Sequence, residues 1–327
     1  MLVSLRLYAL LIAAVLLTTG TAQANPTTPG SNSKTDCAYA YHHISIFKNF
    51  ERMVGRTIDC ALVYNDASPG WAGWENPWFT HHPDPDLNWG KWATAPGTNR
   101  TLIITQNLFP ASVNHSNWRT AGARGRYVRH AKALARNLVA AGLGTAVIRL
   151  GHEANGDWYP DSIGSTRSQF ALWRKFWRRT VLAMRSVPGA NFRFDWSVNA
   201  GYRPIPFRLW YPGNDVVDYI GIDAYDSGVK RLTGRWGTIF GRPLGLRDAI
   251  AFAKAHHKPL SIPEWGVGTA GLKSLAGGDD PSYVDGIASV VRRNRVAYQS
   301  YFYAHEWAAQ LAPGTRSLQS YRRHFGG

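Results

Sequence analysis

Short apolar runs alternate with amphipathic stretches along most of the 327-residue chain, and this alternation constrains the fold more than any other feature. The runs are almost continuously apolar, which is typical of strands buried on both faces of a parallel sheet. Candidate strands cover residues 38–47, 59–64, 101–106, 145–150, 192–198, 217–222, 259–262 and 296–303. Eight strands with helices between most of them predict an α/β fold, a single (β/α)8 TIM barrel with its active site at the carboxyl ends of the strands.

The stretches between the candidate strands show the periodicity of amphipathic helices. The clearest covers residues 126–141, and Gly142 can end it. Its apolar face would consist of Tyr127, Ala131, Leu134, Leu138 and Ala141. Residues 169–185, 246–257 and 282–294 are similar. Because no internal repeat or linker interrupts the pattern, residues 36–327 are predicted to form one domain.

The first 24 residues have the composition of a secretory signal peptide. Arg6 gives a weak positive start, residues 7–17 are apolar, and residues 22–24 form a small-x-small cleavage site. Residues 25–35 are rich in Pro, Thr, Ser and Gly and read as a flexible tail. No later stretch is apolar enough to span a bilayer, so we expect an exported protein without a membrane span.

The chain has two cysteines, Cys37 and Cys60. In an oxidising compartment an even pair favours a disulfide. The two residues fall at the starts of the first and second candidate strands, which would be neighbours in a barrel, so a bond is geometrically possible. The alternative is a pair of free, buried thiols.

The formal net charge is +16, which can indicate an anionic partner such as nucleic acid, an acidic glycan or a charged surface. The basic residues recur along predicted helices rather than in one block. Examples are Arg124, Arg126, Arg129, Lys132, Arg136, Arg174, Lys175, Arg178 and Arg179. This pattern favours solvated helix faces, and we do not expect nucleic-acid binding.

Tryptophan is abundant, with 14 residues, and five of them lie in a long connection after the second strand. This connection contains Trp71, Trp74, Trp78, Trp89 and Trp92. One interpretation is an aromatic wall above the barrel rim on which sugars stack. The other is an insertion whose tryptophans pack on its own helix.

Two glutamates, Glu153 and Glu264, each stand where an apolar run breaks into polar and aromatic residues. Each reads as a carboxylate at the carboxyl end of a buried strand. Two carboxyls presented in this way are what glycoside hydrolysis needs, because one protonates the leaving oxygen and the other attacks or stabilises the sugar carbon.

Other chemistries find little support in the sequence. His152 lacks the second histidine four residues on that a zinc-binding helix needs, since position 156 is glycine. Asp84, Asp86 and Asn88 lack the glycine and the closing glutamate of a calcium loop. There is no phosphate-binding glycine loop and no Gly-x-Ser-x-Gly elbow. We therefore expect no metal and no cofactor.

Three segments together resemble the motifs of glycoside hydrolase family 26, which is best known for retaining endo-β-mannanases. The acid/base motif of that family reads roughly His-Glu-Met-Asn-Gly-x-Trp, and here it is His152-Glu-Ala-Asn-Gly-Asp-Trp158. The strand-six region of the family resembles residues 211–226, and its nucleophile motif resembles Ile262-Pro-Glu-Trp-Gly266. The resemblance covers the barrel from about residue 101 onward and implies catalytic glutamates at the ends of strands four and seven.

The resemblance implies a role for each matching residue. Glu153 would be the general acid/base, with its pKa raised by burial against Trp158, and Glu264 would be the nucleophile. Tyr225 would donate a hydrogen bond to Glu264, while His152 and Asn155 would line the cleft and orient sugar or the acid/base. Further candidates for sugar contact are Trp196, Asn199 and Trp307, although Trp307 could instead belong to the closing helix. Asp223 and Asp226 are weaker candidates. Trp265 is expected to pack in the core.

The resemblance also implies a substrate class. We expect a secreted, monomeric endo-hydrolase of a β-linked polysaccharide, and β-1,4-mannan or glucomannan is the leading candidate for the substrate. Residues 159–161 read Tyr-Pro-Asp where the family usually has further aromatic residues, so mixed-linkage β-glucan, β-1,3-xylan and an acidic glycan remain alternatives. The alternative from a different functional class is a non-catalytic barrel that binds glycan without cutting it.

Overall fold

The computed structural model describes residues 35–65, 70–112, 116–203, 205–230, 233–268, 276–304 and 311–326. Within them, eight parallel strands pair in sequence order and close into a barrel, which confirms the predicted (β/α)8 fold. The strands are β1 Thr35–Tyr39, β2 Cys60–Tyr64, β3 Thr101–Gln106, β4 Val147–Leu150, β5 Arg193–Asn199, β6 Tyr219–Tyr225, β7 Leu260–Gly266 and β8 Val296–Phe302.

The helices lie between the strands and after the last one. They are α1 Ile44–Val54, α2 Gly70–Glu75, α3 Trp89–Ala93, α4 Trp118–Ala123, α5 Val128–Ala140, α6 Arg167–Arg185, α7 Arg235–Gly241, α8 Leu246–Ala255, α9 Pro281–Arg293 and α10 Arg316–Phe325. Local sequence sets the start of α6, where Thr166 and Gln169 form a reciprocal capping box. No helix in the described part of the chain is long and apolar enough to cross a membrane.

The first candidate strand, residues 38–47, was predicted too long. Strand β1 ends at Tyr39, and α1 already begins at Ile44. Tyr41 and His42 both have positive φ, 49° and 62°, and this left-handed backbone separates the two elements. The apolar residues after the break are buried at helical spacing, at Ile44, Phe47, Phe50 and Val54.

Alternate strand residues face two different environments, as the two-residue period of a strand requires. On β5, Phe194 and Trp196 point outward into the layer between strands and helices. Asp195 lies between them in the chain and points into the barrel, where it accepts hydrogen bonds from Ser261 Oγ at 2.6 Å and from the Tyr298 hydroxyl. The barrel interior therefore contains a buried polar layer below the site.

The cysteines are paired. The Cys37–Cys60 disulfide joins β1 to β2, with 4.5 Å between the two Cα atoms. It lies inside the barrel, in an apolar cluster with Leu62, Ile103 and Val147. The bond therefore fastens the first strand to its neighbour beneath the polar layer.

Candidate active site

Glu153 lies in the turn that follows β4. Its φ is 47°, a left-handed value that is uncommon for a residue other than glycine and is kept where surrounding contacts fix the backbone. Two of those contacts are backbone hydrogen bonds: the Glu153 N–H donates to the Ser197 carbonyl at 3.1 Å, and the Gly156 N–H donates to the Glu153 carbonyl at 2.7 Å. The turn aims the carboxyl over the barrel mouth, toward the end of β7.

The Glu153 carboxyl is buried and accepts a hydrogen bond on each oxygen. Asn199 Nδ2 donates to Oε1 at 2.7 Å, and Trp158 Nε1 donates to Oε2 at 3.0 Å. Burial, and then the negative charge of Glu264, raise the pKa of Glu153 to about 7, although the hydrogen bond from Asn199 acts in the opposite direction. A carboxyl with this pKa can hold a proton near neutral pH and give it up in the reaction.

Glu264, on β7, is also buried, but its surroundings suit an ionised carboxylate. Its Oε1 accepts from the Tyr64 hydroxyl at 2.5 Å and from the Arg149 guanidinium. Its Oε2 accepts from the Tyr225 hydroxyl at 2.6 Å. Two hydroxyls and a cation stabilise the negative charge and fix the direction of both oxygens.

Arg149 connects the site to the barrel interior. It is fully buried and bonds Asp223 and Glu264 through its terminal nitrogens, while Nε donates to Ser197 Oγ at 2.8 Å. Burial raises the pKa of Asp223, as do Glu264 and Glu153, whereas Arg149 lowers it. Sequence reasoning missed Arg149, although an arginine within the apolar run 145–150 was the available signal.

Three carboxyls meet at the bottom of the cleft. Glu153, Asp223 and Glu264 each place an oxygen within 4.8 Å of the others. Retaining glycosidases hold their two carboxyls about 5–5.5 Å apart and inverting ones about 6.5–9.5 Å apart, so two carboxyls with oxygens this close are compatible with the retaining arrangement. Such a group could also bind a metal ion, but the guanidinium of Arg149 already bonds two of the three carboxyls.

The cleft above these groups has a volume of about 680 Å³. Aromatic side chains form most of its wall. The described residues that line it are Tyr39, His42, Tyr64, Glu153, Trp158, Tyr159, Asn199, Tyr202, Tyr225, Ser227, Glu264 and Phe302. Sequence reasoning missed Tyr39, His42, Tyr64, Tyr202, Ser227 and Phe302, because nothing local marks an aromatic residue at a strand end or in a loop as facing the cleft.

Of the residues predicted to contact sugar, Trp158, Asn199 and Tyr225 line the cleft. His152 and Asn155 do not; both are buried beneath it. Asn155 holds Asn199 by two bonds, from Nδ2 to the Asn199 carbonyl and from the Asn199 N–H to Oδ1, both 2.9 Å. The His152 ring lies 4.1 Å from that of Tyr159, centroid to centroid.

Trp196 does not reach the cleft, so that prediction is wrong. Its ring is fully buried on the outer side of β5 and packs against Trp210 and Tyr211, with centroids 4.5 and 5.2 Å away. Residues 196 and 199 differ by an odd number, so a strand directs them to opposite faces. Trp265 packs outside the barrel near Tyr321, as expected. Trp307 lies outside the described residues.

The tryptophans of the long connection after β2 are packed rather than displayed. Trp74 and Trp89 are buried, and Trp71 stacks on His130 with 3.7 Å between ring centroids. Trp78 Nε1 donates to the Tyr64 carbonyl at 3.1 Å. None of the five is among the described residues that line the cleft, which favours the packing interpretation over a sugar-stacking wall.

A closed (β/α)8 barrel whose strand ends carry paired carboxyls in an aromatic cleft is the architecture of a glycoside hydrolase. The chain belongs to glycosyl hydrolase family 26, whose model matches residues 35–254. It is 26% identical over 188 residues to endoglucanase H of Acetivibrio thermocellus. That match covers 54% of this chain and 19% of the relative, so the chain spans about a fifth of the relative's length.

Solved structures share the fold at low sequence identity. A modular endo-β-1,4-mannanase from Cellulomonas fimi has a TM-score of 0.62 at 17% identity, with 90% of this chain and 71% of that chain covered. GH26C from Muricauda sp. MAR_2010_75 has a TM-score of 0.61 at 15% identity, covering 90% and 86%. The mannanase BCman of Bacillus subtilis has a TM-score of 0.59 at 15% identity, covering 91% and 87%.

Proposed function

We propose that this glycoside hydrolase cleaves internal β-linkages of a polysaccharide with retention, using Glu153 as acid/base and Glu264 as nucleophile. One observation carries the proposal: the two carboxyls face each other with oxygens within 4.8 Å. Their surroundings differ as the two roles require. Glu153 has a pKa of about 7, whereas Glu264 is held by a guanidinium and two hydroxyls.

In the first step, a Glu264 oxygen attacks the anomeric carbon as the glycosidic bond breaks. Glu153 gives its proton to the departing oxygen, so the leaving group departs as an alcohol and a covalent glycosyl ester forms on Glu264. Arg149, Tyr64 and Tyr225 position the nucleophile, and all three bond its oxygens in the free enzyme.

In the second step, water replaces the leaving group. Once Glu264 is esterified it carries no negative charge, so one of the influences that raise the pKa of Glu153 disappears. Glu153 is then more acidic and can act as a base that takes a proton from the attacking water. The ester opens, Glu264 returns as a carboxylate, and the sugar leaves with its original anomeric configuration.

The proposed substrate is β-1,4-mannan or glucomannan. Support comes from structural relatives whose names record mannanase activity, while endoglucanase H points to a β-glucan as the alternative. Aromatic side chains flank both carboxyls, with Tyr39 and Phe302 lining one part of the cleft and Trp158 and Tyr202 another. Tyr202 packs on Trp158, which bonds Glu153, and Phe302 packs on Tyr225, which bonds Glu264, so a polymer could stack beside either carboxyl.

We further propose that residues 1–24 are a signal peptide and that the enzyme acts outside the cell as a monomer. Export rests on the composition of those residues. The disulfide between Cys37 and Cys60 is consistent with an oxidising compartment.

A polysaccharide panel tests the function. The purified chain is incubated with mannan, glucomannan, mixed-linkage glucan, β-1,3-xylan and acidic glycans, and products are separated by size. Oligosaccharides from mannan or glucomannan that are absent with Glu264→Ala support the proposal, and another productive polymer would correct the substrate. Binding to a panel member without products would contradict catalysis and favour a glycan-binding barrel.

A further inference from the structure

Positive charge is concentrated in one third of the chain. Residues 88–194 contain 16 Lys and Arg but three Asp and Glu, whereas the whole chain has a formal net charge of +16. This segment therefore carries 13 of the 16 excess charges, and the other 220 residues carry three. Two of its acids, Glu153 and Asp161, are buried, so its surface is almost free of negative charge.

Helices α4, α5 and α6 bring these charges to one side of the molecule, since α4 and α5 both pack against α6. The contact is close at Gly122, where a Cβ would lie 2.3 Å from the Phe176 ring. Arg179 Nε donates to the Ala123 carbonyl at 2.6 Å and ties α6 to the end of α4. The basic face is defined here as Arg124, Arg126, Arg129, Lys132, Arg136, Arg167, Arg174 and Lys175; seven are exposed and Arg174 is half-buried.

Helix α5 presents an ordered row of charge. Arg129, Lys132 and Arg136 follow one another at intervals of three and four residues, which places them on one side of the helix. Successive members are separated by about 4.5 and 6 Å along the helix axis. The opposite side of α5 is buried through Leu134 and Leu138. The row therefore stays at the surface, where Arg129 Nε also donates to the His130 ring at 3.2 Å.

The chain does not neutralise this face. Among the described residues, no carboxylate oxygen lies within 4.0 Å of any of its eight side-chain cations, whereas the neighbouring Arg178 and Arg185 pair with Asp215 and Asp218. Like charges four residues apart, such as Lys132 and Arg136, destabilise a helix. An anionic ligand would remove that repulsion, so the arrangement favours a bound polyanion.

A depression at the end of α4 is a place on the basic face where a ligand group could bind. It has a volume of about 290 Å³ and is lined by Asn117, Thr120, Ala121, Arg124, Gly125 and Arg126. None of these residues lines the catalytic cleft. Two guanidiniums, a hydroxyl and an amide can donate hydrogen bonds to a carboxylate group, and the two cations also balance its charge.

We propose that the basic face binds an anionic polysaccharide whose sugars carry carboxylates, at a site separate from the cleft. A face that binds single-stranded nucleic acid needs exposed aromatic side chains on which the bases stack. A face that binds a membrane needs exposed apolar side chains that insert into the lipid. The described large hydrophobics that are exposed are Trp158, Leu182 and Tyr202, of which Leu182 alone lies on these helices. A linear uronic-acid chain needs neither feature and matches a row of spaced cations.

The test measures binding of the full chain to immobilised polygalacturonate at about 0.15 M ionic strength and at higher salt. The variant Arg129→Glu/Lys132→Glu/Arg136→Glu reverses the row on α5. The matched control Lys48→Glu/Lys254→Glu/Arg293→Glu makes the same change in net charge at exposed residues of α1, α8 and α9. Circular dichroism and hydrolysis of a neutral polymer check that each variant is folded.

We expect added salt to weaken binding, the α5 variant to bind about tenfold or more weakly than the parent, and the control to stay within about twofold. Equal weakening by both variants would contradict the proposal, because net charge alone would explain it. Absence of binding at about 0.15 M salt would also contradict it. Tighter binding of duplex DNA than of polygalacturonate would assign the face to nucleic acid instead. Should the α5 variant not fold, Lys132→Gln/Arg136→Gln is compared with Lys48→Gln/Lys254→Gln, which removes the same number of charges from exposed residues elsewhere.

Discussion

At the scale of single residues, Glu153 and Glu264 are chemically similar side chains whose surroundings differ in the way that their two proposed roles require. Glu153 accepts bonds from an amide and an indole, which are neutral donors. Glu264 accepts one bond from a guanidinium and two from tyrosine hydroxyls. Burial and the charge of Glu264 raise the pKa of Glu153 to about 7, so Glu153 can hold a proton near neutral pH, while both oxygens of Glu264 are held in place by their donors.

Replacing the proposed acid should affect substrates according to their leaving groups. Glu153→Ala is expected to slow polymer hydrolysis by about 10²–10⁴-fold, because the departing alcohol no longer receives a proton. A 2,4-dinitrophenyl glycoside needs no proton, so it should give a rapid burst of dinitrophenol and then slow turnover. Azide should speed that turnover and yield a β-glycosyl azide. Equal losses on both substrates would contradict the assignment.

The pH profile tests the pKa of Glu153 through its neighbour Asn199. In the parent enzyme, kcat/KM should fall above a pH of about 7, as Glu153 loses its proton. The Asn199 amide donates to the ionised carboxyl and lowers its pKa. Asn199→Ala should therefore move the basic limb to higher pH, and a shift to lower pH would show that Asn199 acts otherwise.

The sequence motifs located the paired carboxyls of the cleft better than the residues around them. Asn199 and Tyr225 were expected near the cleft and do line it, because each is the last residue of its strand, at the carboxyl end. Arg149 and Tyr64 were missed, since their bonds to Glu264 join residues far apart in the chain. No local pattern reports such contacts, although a charge inside an apolar strand suggests that a partner exists.

At the scale of elements, the presence of each strand was easier to predict than the residues at which it ends. Apolar continuity located all eight strands, and β3 was predicted with its observed bounds. Strands β6 and β7 extend to Tyr225 and Gly266, beyond the predicted 222 and 262. Their last residues include Asp223 and Glu264, polar side chains that interrupt the apolar pattern because they face the site. Function therefore obscures the strand signal where the site is built.

The disulfide between β1 and β2 should contribute measurably to stability. It closes a loop with a sequence separation of 23 residues, and the chain-entropy model gives about 3 kcal/mol for a loop of this size. The variant Cys37→Ser/Cys60→Ser is expected to unfold at lower denaturant concentration by about that free energy. A reducing agent should lower the stability of the parent and leave the variant unchanged. Equal stability of both proteins without reductant would contradict this estimate.

Asp195 in the barrel interior should make stability depend on pH. Burial raises its pKa to about 6, although bonds from Ser261 and Tyr298 oppose the shift. Because the folded pKa is higher than the unfolded one, stability is full below a pH of about 4 and falls as pH rises through about 6. Relative to the parent, Asp195→Asn should gain up to about 3 kcal/mol between pH 4 and pH 8. A pH-independent difference in the free energy of unfolding would contradict it.

At the scale of the whole molecule, barrel closure brings together residues that are far apart in the sequence. It thereby creates both the site and the charge distribution. Glu153 and Glu264 are 111 residues apart in sequence, and β4 and β7 bring their oxygens within 4.8 Å. The alternation of strands and helices sufficed to predict the barrel. It could not predict which loops pack and which line the cleft, because that depends on contacts between distant elements. The same closure places α4, α5 and α6 side by side, so basic stretches that seemed scattered form one face.

The most direct test of the account is to trap the intermediate on its nucleophile. The chain is incubated with 2-deoxy-2-fluoro-β-mannosyl and β-glucosyl fluorides, whose fluorine at C2 slows hydrolysis while fluoride remains a good leaving group. Peptide mass spectrometry then locates the added sugar. One label per chain is expected, on Glu264, and none in Glu264→Gln. A label on Asp223, which also has an oxygen within 4.8 Å of Glu153, or product formation with inverted configuration, would contradict it.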